Sequence, residues 1–425
     1  MSLPVVGFAG MTHLGLVSAT AVTARGMPTV CYDPDQALVA RLRNRELPVV
    51  EPDLDDMVAA NGDRQTFTAD LADLSACGVV YIAKDVPTDD TGKSDTSGIA
   101  ALIEQILPIL GEKAVLVILC QVPPGFTRKI PLEPSRLYYQ VETLIFGRAV
   151  ERATQPERYI VGCAAPDAPL HPAFEAVLAA FGCPILSMRY ESAELAKISI
   201  NMCLVASVSV ANTMAEICEK IGAVWSEIVP ALKLDRRIGQ YSYLSPGLGI
   251  AGGNLERDLA TVLRFSEEYG TDSGVVSAWI ANSRHRRDWA LRLVHESALR
   301  EKVDPVLAVW GLAYKENTHS TKNSPSLATI APLAPYRLRV FDPVIPVAAA
   351  NHPRAEGATS PVEAASGADA LLILTPWPVF RQADPAAVAK VMAGRLVIDP
   401  YAVLDHQAAT TAGLDHRVLG APAAV

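Results

Sequence analysis

Apolar residues at the start of the chain come in short unbroken runs separated by longer amphipathic stretches. Val5-Val6-Gly7-Phe8-Ala9 reads as a buried strand, and residues 14–25 read as a helix that Gly26 can close. Thr29-Val30-Cys31-Tyr32 is the next strand and ends at Asp33-Pro34. Further apolar runs fall at residues 79–83, 114–119 and 159–161. Continuous apolar runs alternating with helices predict a parallel sheet covered by helices on both faces.

The pattern then changes. Residues 192–221 contain no proline, and Leu195, Ile198, Met202, Val205, Val208, Met214 and Ile217 recur at helical spacing. One long helix is expected there, with further helix over 258–269 and 275–297. The last third returns to short strands at 306–310, 338–341, 370–374 and 396–398. Its opening unit passes through Gly311 to Val340-Phe341-Asp342-Pro343 and echoes the first unit, which ends in Asp33-Pro34. A second doubly wound domain explains the echo; so does the general likeness of parallel strands. The expected fold class is α/β, with two doubly wound Rossmann-like domains joined by a long helix and a helical central region. The parts are residues 1–190, a central helical and dimerising region at 191–300, and 301–425.

Length agrees, since 425 residues exceed what one core usually serves. No unbroken run of 18 or more apolar residues occurs, so no membrane span is expected. The first residues lack the basic start and long apolar run of a signal peptide. A net charge of −9 argues against nucleic acid as partner, because phosphate backbones need a basic face. The seven cysteines (31, 77, 120, 163, 183, 203 and 218) are scattered and lack metal-ligand spacing. Free, mostly buried thiols in a reducing, cytoplasmic compartment are expected, and no metal site.

The candidate chemistry begins at Gly10-Met11-Thr12-His13-Leu14-Gly15, between the first strand and the first helix. A dinucleotide turn needs glycine there for the tight bend and close helix packing, and the pyrophosphate then sits on the helix N-terminus. Thr12 stands where a central glycine is usual, and its side chain either crowds the pyrophosphate or hydrogen-bonds it. Asp33 ends the second strand at the spacing that reaches the adenine ribose. An acid there favours NAD over NADP by repelling a 2′-phosphate.

With these residues in place, the chain resembles the UDP-glucose/GDP-mannose dehydrogenase family nearly end to end. The resemblance is carried by the 10–16 turn, Pro48-Val49-Val50-Glu51-Pro52-Asp53-Leu54, Val86-Pro87-Thr88 and Val122-Pro123-Pro124-Gly125. It continues in Glu194-Leu195-Ala196-Lys197-Ile198-Ser199-Ile200-Asn201, Arg237-Ile238-Gly239 and Gly311-Leu312-Ala313-Tyr314-Lys315-Glu316-Asn317-Thr318. The family oxidises a sugar primary alcohol to a carboxylate with two NAD molecules, through an aldehyde, a cysteine thiohemiacetal and a thioester. The resemblance implies catalytic roles for Lys197, Asn201, Asp258 and Glu142. Lys197 and Asn201, four apart on one helix, share a face from which they can stabilise an alkoxide. It places Gly10, Thr12, His13, Leu14, Gly15, Asp33, Pro87, Thr88 and Gln121 at the cofactor. It places Arg237, Gly249, Gly252, Gly253 and Lys315 at a nucleotide-sugar substrate, with Gly247 nearby and Arg237 reaching across a homodimer.

The resemblance breaks at the second oxidation. Asn254 occupies the position of the family's cysteine, and an amide forms no thioester. Phe146 stands where the family has the carboxylate implicated in thioester hydrolysis, and Gln121 replaces a threonine. Cys120 is a substitute thiol by position, but reads more simply as a small apolar residue at a strand end. An NAD-dependent oxidation stopping at aldehyde or ketone is therefore expected. The alternatives are the full acid-forming reaction by a route without cysteine, a redox-neutral reaction, or a nucleotide-sugar-binding protein without activity.

Overall fold

The first apolar run forms β1 (Val6–Ala9), followed by α1 (His13–Ala24) and β2 (Thr29–Tyr32). A computed structural model of the protein describes residues 3–87, 89, 94–251, 253–297, 299 and 302–422. Thr88 and Gly252 lie outside the described residues. The first unit continues with α2 (Gln36–Arg43), α3 (Leu54–Ala60), β3 (Gln65–Thr68), β4 (Val79–Ile82), α4 (Ser97–Ile106) and β5 (Val115–Ile118). It proceeds through β6 (Leu137–Gln140), α5 (Ala149–Thr154), β7 (Tyr159–Cys163), α6 (Pro172–Ala179) and β8 (Ile185–Arg189). The strands lie in the order β3-β2-β1-β4-β5-β6-β7-β8. All neighbours are parallel except β6 and β7. Every residue of β1, β4 and β5 is buried, because apolar clusters lie on both faces of the sheet. The chain reverses its direction of winding between β1 and β4, where doubly wound sheets open a crevice at their carboxyl ends.

The next elements are α7 (Tyr190–Ile221), α8 (Trp225–Leu234), α9 (Asn254–Tyr269), α10 (Gly274–Arg287) and α11 (Trp289–Glu296). The stretch expected as one helix over 275–297 is thus two, broken at Asp288. Glu219 on α7 binds on both sides of the break. It receives Arg286 Nη2 at 2.8 Å and Trp289 Nε1 at 3.2 Å, with Arg286 fully buried. The helix expected from 258 begins one turn earlier, directly after Gly253.

The second sheet follows as β9 (Val306–Trp310), α12 (Pro325–Ile330), β10 (Arg337–Phe341), β11 (Ala355–Gly357), α13 (Pro361–Ala365) and β12 (Ala370–Ile373). It ends with α14 (Pro378–Arg381), α15 (Pro385–Val391), β13 (Leu396–Ile398), α16 (His406–Thr411) and β14 (Asp415–Arg417). Its order is β11-β10-β9-β12-β13-β14, parallel throughout.

The echo between the two sheets is geometric. Gly10 and Gly311 follow the first strand of each sheet with φ of +100° and +96°. Gly10 N–H donates to Tyr32 O at 2.9 Å, and Gly311 N–H to Phe341 O at 2.8 Å. Met11 N–H donates to Asp33 at 2.8 Å, and Leu312 N–H to Asp342 at 2.7 Å. In each sheet a carboxylate ending the second strand fastens the turn that follows the first.

The residues group into two compact units, Met1–Ile200 and Asn201–Val425, and α7 passes from one to the other. Its apolar positions serve more than one face: Ile198 and Val205 are buried, whereas Leu195, Met214 and Ile217 are exposed. This 32-residue helix is long and apolar enough to cross a membrane, with a mean hydropathy of 1.5 over an 18-residue window. No unbroken apolar run of 18 residues occurs in it, because polar residues interrupt the pattern. Those polar residues are engaged with the chain: buried Glu194 accepts N–H bonds from Gly125 and Thr127, and Asn212 accepts one from Gly247.

Candidate functional site

In the first unit the turn at residues 10–15 is shaped by what a side chain would strike. A Cβ at Gly15 would lie 1.8 Å from Gly10 O, and one at Gly10 would lie 2.8 Å from Lys84 Cβ. Glycine at both positions lets α1 begin flush against the end of β1. The first intrahelical bond runs from Leu16 N–H to Thr12 O, so the N–H groups of His13, Leu14 and Gly15 open at the helix end. Leu14 anchors that end in the core. Asp33 is buried, and its two oxygens accept from Met11 N–H at 2.8 Å and Asp35 N–H at 3.0 Å. The Thr12 hydroxyl lies 3.4 Å from Ala83 O and accepts from Asp85 N–H at 3.0 Å, which ties the turn to the end of β4. The glycine cradle, the open helix end and the buried carboxylate at the second strand fit a dinucleotide. Pro87 is exposed and Gln121 half-buried, both in segments that follow strands of the same sheet.

His13 is turned to another task. Its Nε2 lies 2.8 Å from Glu51 Oε1, with both side chains buried. Glu51 also accepts N–H bonds from Gly147 at 2.9 Å and from Ala149 at 3.1 Å. Burial works to raise the Glu51 pKa. The His13 hydrogen bond and the two backbone donors outweigh it and hold the carboxyl below its ordinary value. Phe146 stacks on the His13 ring at 4.1 Å between centroids. An aromatic face therefore occupies the position at which the family resemblance implies a hydrolytic carboxylate.

Lys197 is 8% exposed; its Nζ donates to Glu142 O at 2.9 Å and lies 3.3 Å from Glu142 Oε2. Glu142 also accepts from Leu144 N–H. The structure thus joins two residues 55 apart in sequence into one ion pair. Glu194, one turn before Lys197, fastens α7 to the 125–127 turn through Gly125 N–H at 2.6 Å and Thr127 N–H at 2.9 Å.

One helical turn after Lys197, in the second unit, Asn201 Nδ2 donates to Asp258 Oδ2 at 2.5 Å. Asp258 is 1% exposed, and Arg257 Nε lies 3.3 Å from its other oxygen. Asn254, exposed at the first position of α9, precedes Asp258 by one turn and shares its face. Gly253 is followed by the helix and borders Lys322, whose Cε would lie 3.5 Å from an added Cβ. Gly249 has a local reason to be glycine: its φ is +77°, and a Cβ would lie 2.4 Å from Ser283 O on α10. Ile250 N–H donates to Ser283 Oγ at 2.8 Å in the same contact. Arg237 is 88% exposed at its side chain and pairs with Asp235 at 2.6 Å. Lys315 is half-buried, with its ammonium 5.6 Å from the Tyr314 ring centre.

Cys120 is fully buried and donates to Ile82 O at 3.1 Å, and desolvation pushes its pKa up to about 12. Two thiols depart from the expected burial: Cys203 lies exposed on α7 and Cys183 is half-buried. Among the described residues, no group of three or more His, Cys, Asp or Glu side chains is placed to hold a metal ion.

Residues 4–174 match the NAD binding domain of the UDP-glucose/GDP-mannose dehydrogenase family, 191–284 its central domain and 308–406 its UDP binding domain. The chain is 30% identical over 416 residues to the UDP-glucose 6-dehydrogenase of Pseudomonas aeruginosa, covering 92% of this chain and 91% of that protein. It is 28% identical to UDP-glucose 6-dehydrogenase TuaD of Bacillus subtilis, covering 97% and 92%. Among solved structures, a UDP-glucose dehydrogenase from Pyrobaculum islandicum superposes with a TM-score of 0.86 at 24% identity, covering 99% of this chain and 98% of that one.

Proposed function

Because the chain belongs to the UDP-glucose/GDP-mannose dehydrogenase family, we propose that this NAD-dependent oxidoreductase oxidises a CH–OH group of a UDP-linked sugar once and stops at the aldehyde or ketone. The observation that carries this reading is Asn254, at the first turn of α9, in a chain that keeps Lys197, Glu142, Asn201 and Asp258 in hydrogen-bonded pairs. In the reaction one C–H and one O–H bond break and a C=O bond forms. NAD supplies the hydride acceptor. Lys197 holds negative charge developing on the substrate oxygen, and Glu142 positions its ammonium. Asn201 fixes the Asp258 carboxylate through its amide. The hydroxyl proton leaves to solvent. Asn254 cannot capture the carbonyl product, and Phe146 cannot activate water for hydrolysis. Asp33 favours NAD over NADP by its charge. Arg237, Gly249, Gly253 and Lys315 are assigned to the nucleotide sugar, and Gly10, Gly15, Thr12, His13, Leu14, Pro87 and Gln121 to the cofactor side. The largely buried free thiols fit a reducing, cytoplasmic setting.

We infer further that two copies pair through α7. Val210, Met214, Ile217 and Ile221 are all exposed on successive turns of its second half, an apolar stripe with helical spacing.

The test is NADH formed per UDP-sugar consumed, with hydroxylamine present to trap a carbonyl. One NADH and an oxime by mass are expected. Two NADH with a carboxylate product would refute the truncated chemistry in favour of a route without cysteine. No NADH from any nucleotide sugar would favour a redox-neutral reaction or a binding protein. Asn254→Cys with Phe146→Glu should move the ratio from one towards two.

A further inference from the structure

The glycine-rich segment that leads to Asn254 is held from four directions. In the second unit, Trp225 Nε1 on α8 donates to Leu244 O at 2.8 Å. Asn212, 1% exposed on α7, accepts from Gly247 N–H at 2.9 Å. Leu248 is buried in the core of the second sheet. Ser283 on α10 supplies the last hold: its Oγ accepts from Ile250 N–H at 2.8 Å, and its carbonyl leaves no room for a Cβ at Gly249. The helices that carry Asn212 and Ser283 are themselves tied, since Asn282 Nδ2 donates to Thr213 Oγ1 at 3.0 Å. A segment rich in glycine has the most conformational freedom to lose. Acceptors fixed on two helices remove that freedom before any ligand arrives.

We propose that Asn212 and Ser283 are positioning residues for the nucleotide sugar: they hold the backbone at residues 247–250 in the shape that receives the sugar diphosphate. The inference rests on the reading of Gly249 and Gly253 as substrate-facing. Neither Asn212 nor Ser283 needs to touch the substrate. When only a fraction of molecules holds the binding shape, apparent affinity falls by that fraction. Cutting one anchor therefore weakens binding of the nucleotide sugar and leaves the chemistry of the bound state as it was. It also leaves NAD alone, because the residues assigned to the cofactor belong to the first unit. At position 212 the acceptor matters rather than the bulk. Asn212→Asp keeps an oxygen for Gly247 N–H in either protonation state, whereas Asn212→Leu keeps the volume and leaves that N–H unpaired.

The experiment is calorimetric titration of UDP-glucose, and separately of NAD, into the wild-type chain, Asn212→Leu, Asn212→Asp and Ser283→Ala. Hydrogen exchange is followed over residues 244–250 before and after UDP-glucose is added. Asn212→Leu and Ser283→Ala should each bind UDP-glucose about tenfold more weakly, the scale of one buried N–H left without a partner. Asn212→Asp should bind it like the wild type, and all four proteins should bind NAD alike. The segment should exchange faster in the two weak binders, and saturating UDP-glucose should restore its protection. Unchanged UDP-glucose affinity in both overturns the positioning role and leaves the nucleotide-sugar reading standing. Equal weakening in Asn212→Asp and Asn212→Leu, or a parallel loss of NAD binding, overturns it also, since the defect would then be one of packing. Should Asn212→Leu fail to fold, Ser283→Ala at its half-buried site carries the same test. Failure of UDP-glucose to bind a wild type that is folded and binds NAD overturns the substrate assignment of the segment and the positioning role together.

Discussion

Lys197 and Glu51 show two uses of a buried charge. Lys197 is held by Glu142 through both its carboxylate and its peptide oxygen, a geometry that fixes the ammonium but leaves it donors to spare. Lys197→Ala should lower turnover by about 10²–10³-fold, the scale of one lost oxyanion donor, with NAD binding unchanged by titration. A variant turning over at the wild-type rate would make Lys197 structural. Glu51 gathers His13 and two backbone N–H groups at the start of α5. Its carboxyl is held below its usual pKa, so its contribution to stability is present above the unfolded-state value and is lost as pH falls through the folded-state value. Glu51→Gln should therefore melt below the wild type at neutral pH by an amount worth about 2–3 kcal/mol. The two melting curves should converge on acidification below the ordinary glutamate range. A gap that stays constant with pH would show that the loss is one of packing, not charge.

At the scale of elements, what was legible in the sequence was whatever buries both faces. β1, β4, β5, β9 and β12 are unbroken apolar runs, fully or almost fully buried, and their positions agree with the apolar pattern to within a residue. The pattern carried no expectation for β3, β6, β8, β11 or β14. β3, β11 and β14 lie at or beside polar sequence on sheet edges, as in Gln65-Thr66-Phe67-Thr68 and Asp415-His416-Arg417. An edge strand has one face or one rim open, so polar residues cost little there and the apolar signal fades. The break at Asp288 was equally hidden, because the partner that binds on both sides of it, Glu219, lies far away in sequence. The candidate site divides in the same way. Gly10, Gly15 and Asp33 are suggested by spacing, and Lys197 and Asn201 by the family resemblance. Glu51 and Glu194 do not declare themselves, since each acts through partners brought near only by folding.

At the scale of the whole molecule, surface chemistry decides whether copies associate. The exposed stripe on α7 should make the chain a dimer by light scattering at micromolar concentration. Met214→Glu with Ile217→Glu should yield a monomer that keeps its helical circular dichroism, since both side chains are exposed in one copy. A monomer mass for the wild type would defeat the pairing. The two sheets have another consequence, one for synthesis. In each, the strand made first lies inside the finished sheet: β1 ends between β2 and β4, and β9 between β10 and β12. A ribosome therefore releases the middle of each sheet before either neighbour exists. β1 can pair with β2 on one rim but must wait with the other unpaired until β4, and the last strand of its sheet, β8, emerges only at Ile185–Arg189. During that interval a fully apolar ribbon is open to any other extended chain, and its protection has to come from the exit tunnel or from a chaperone.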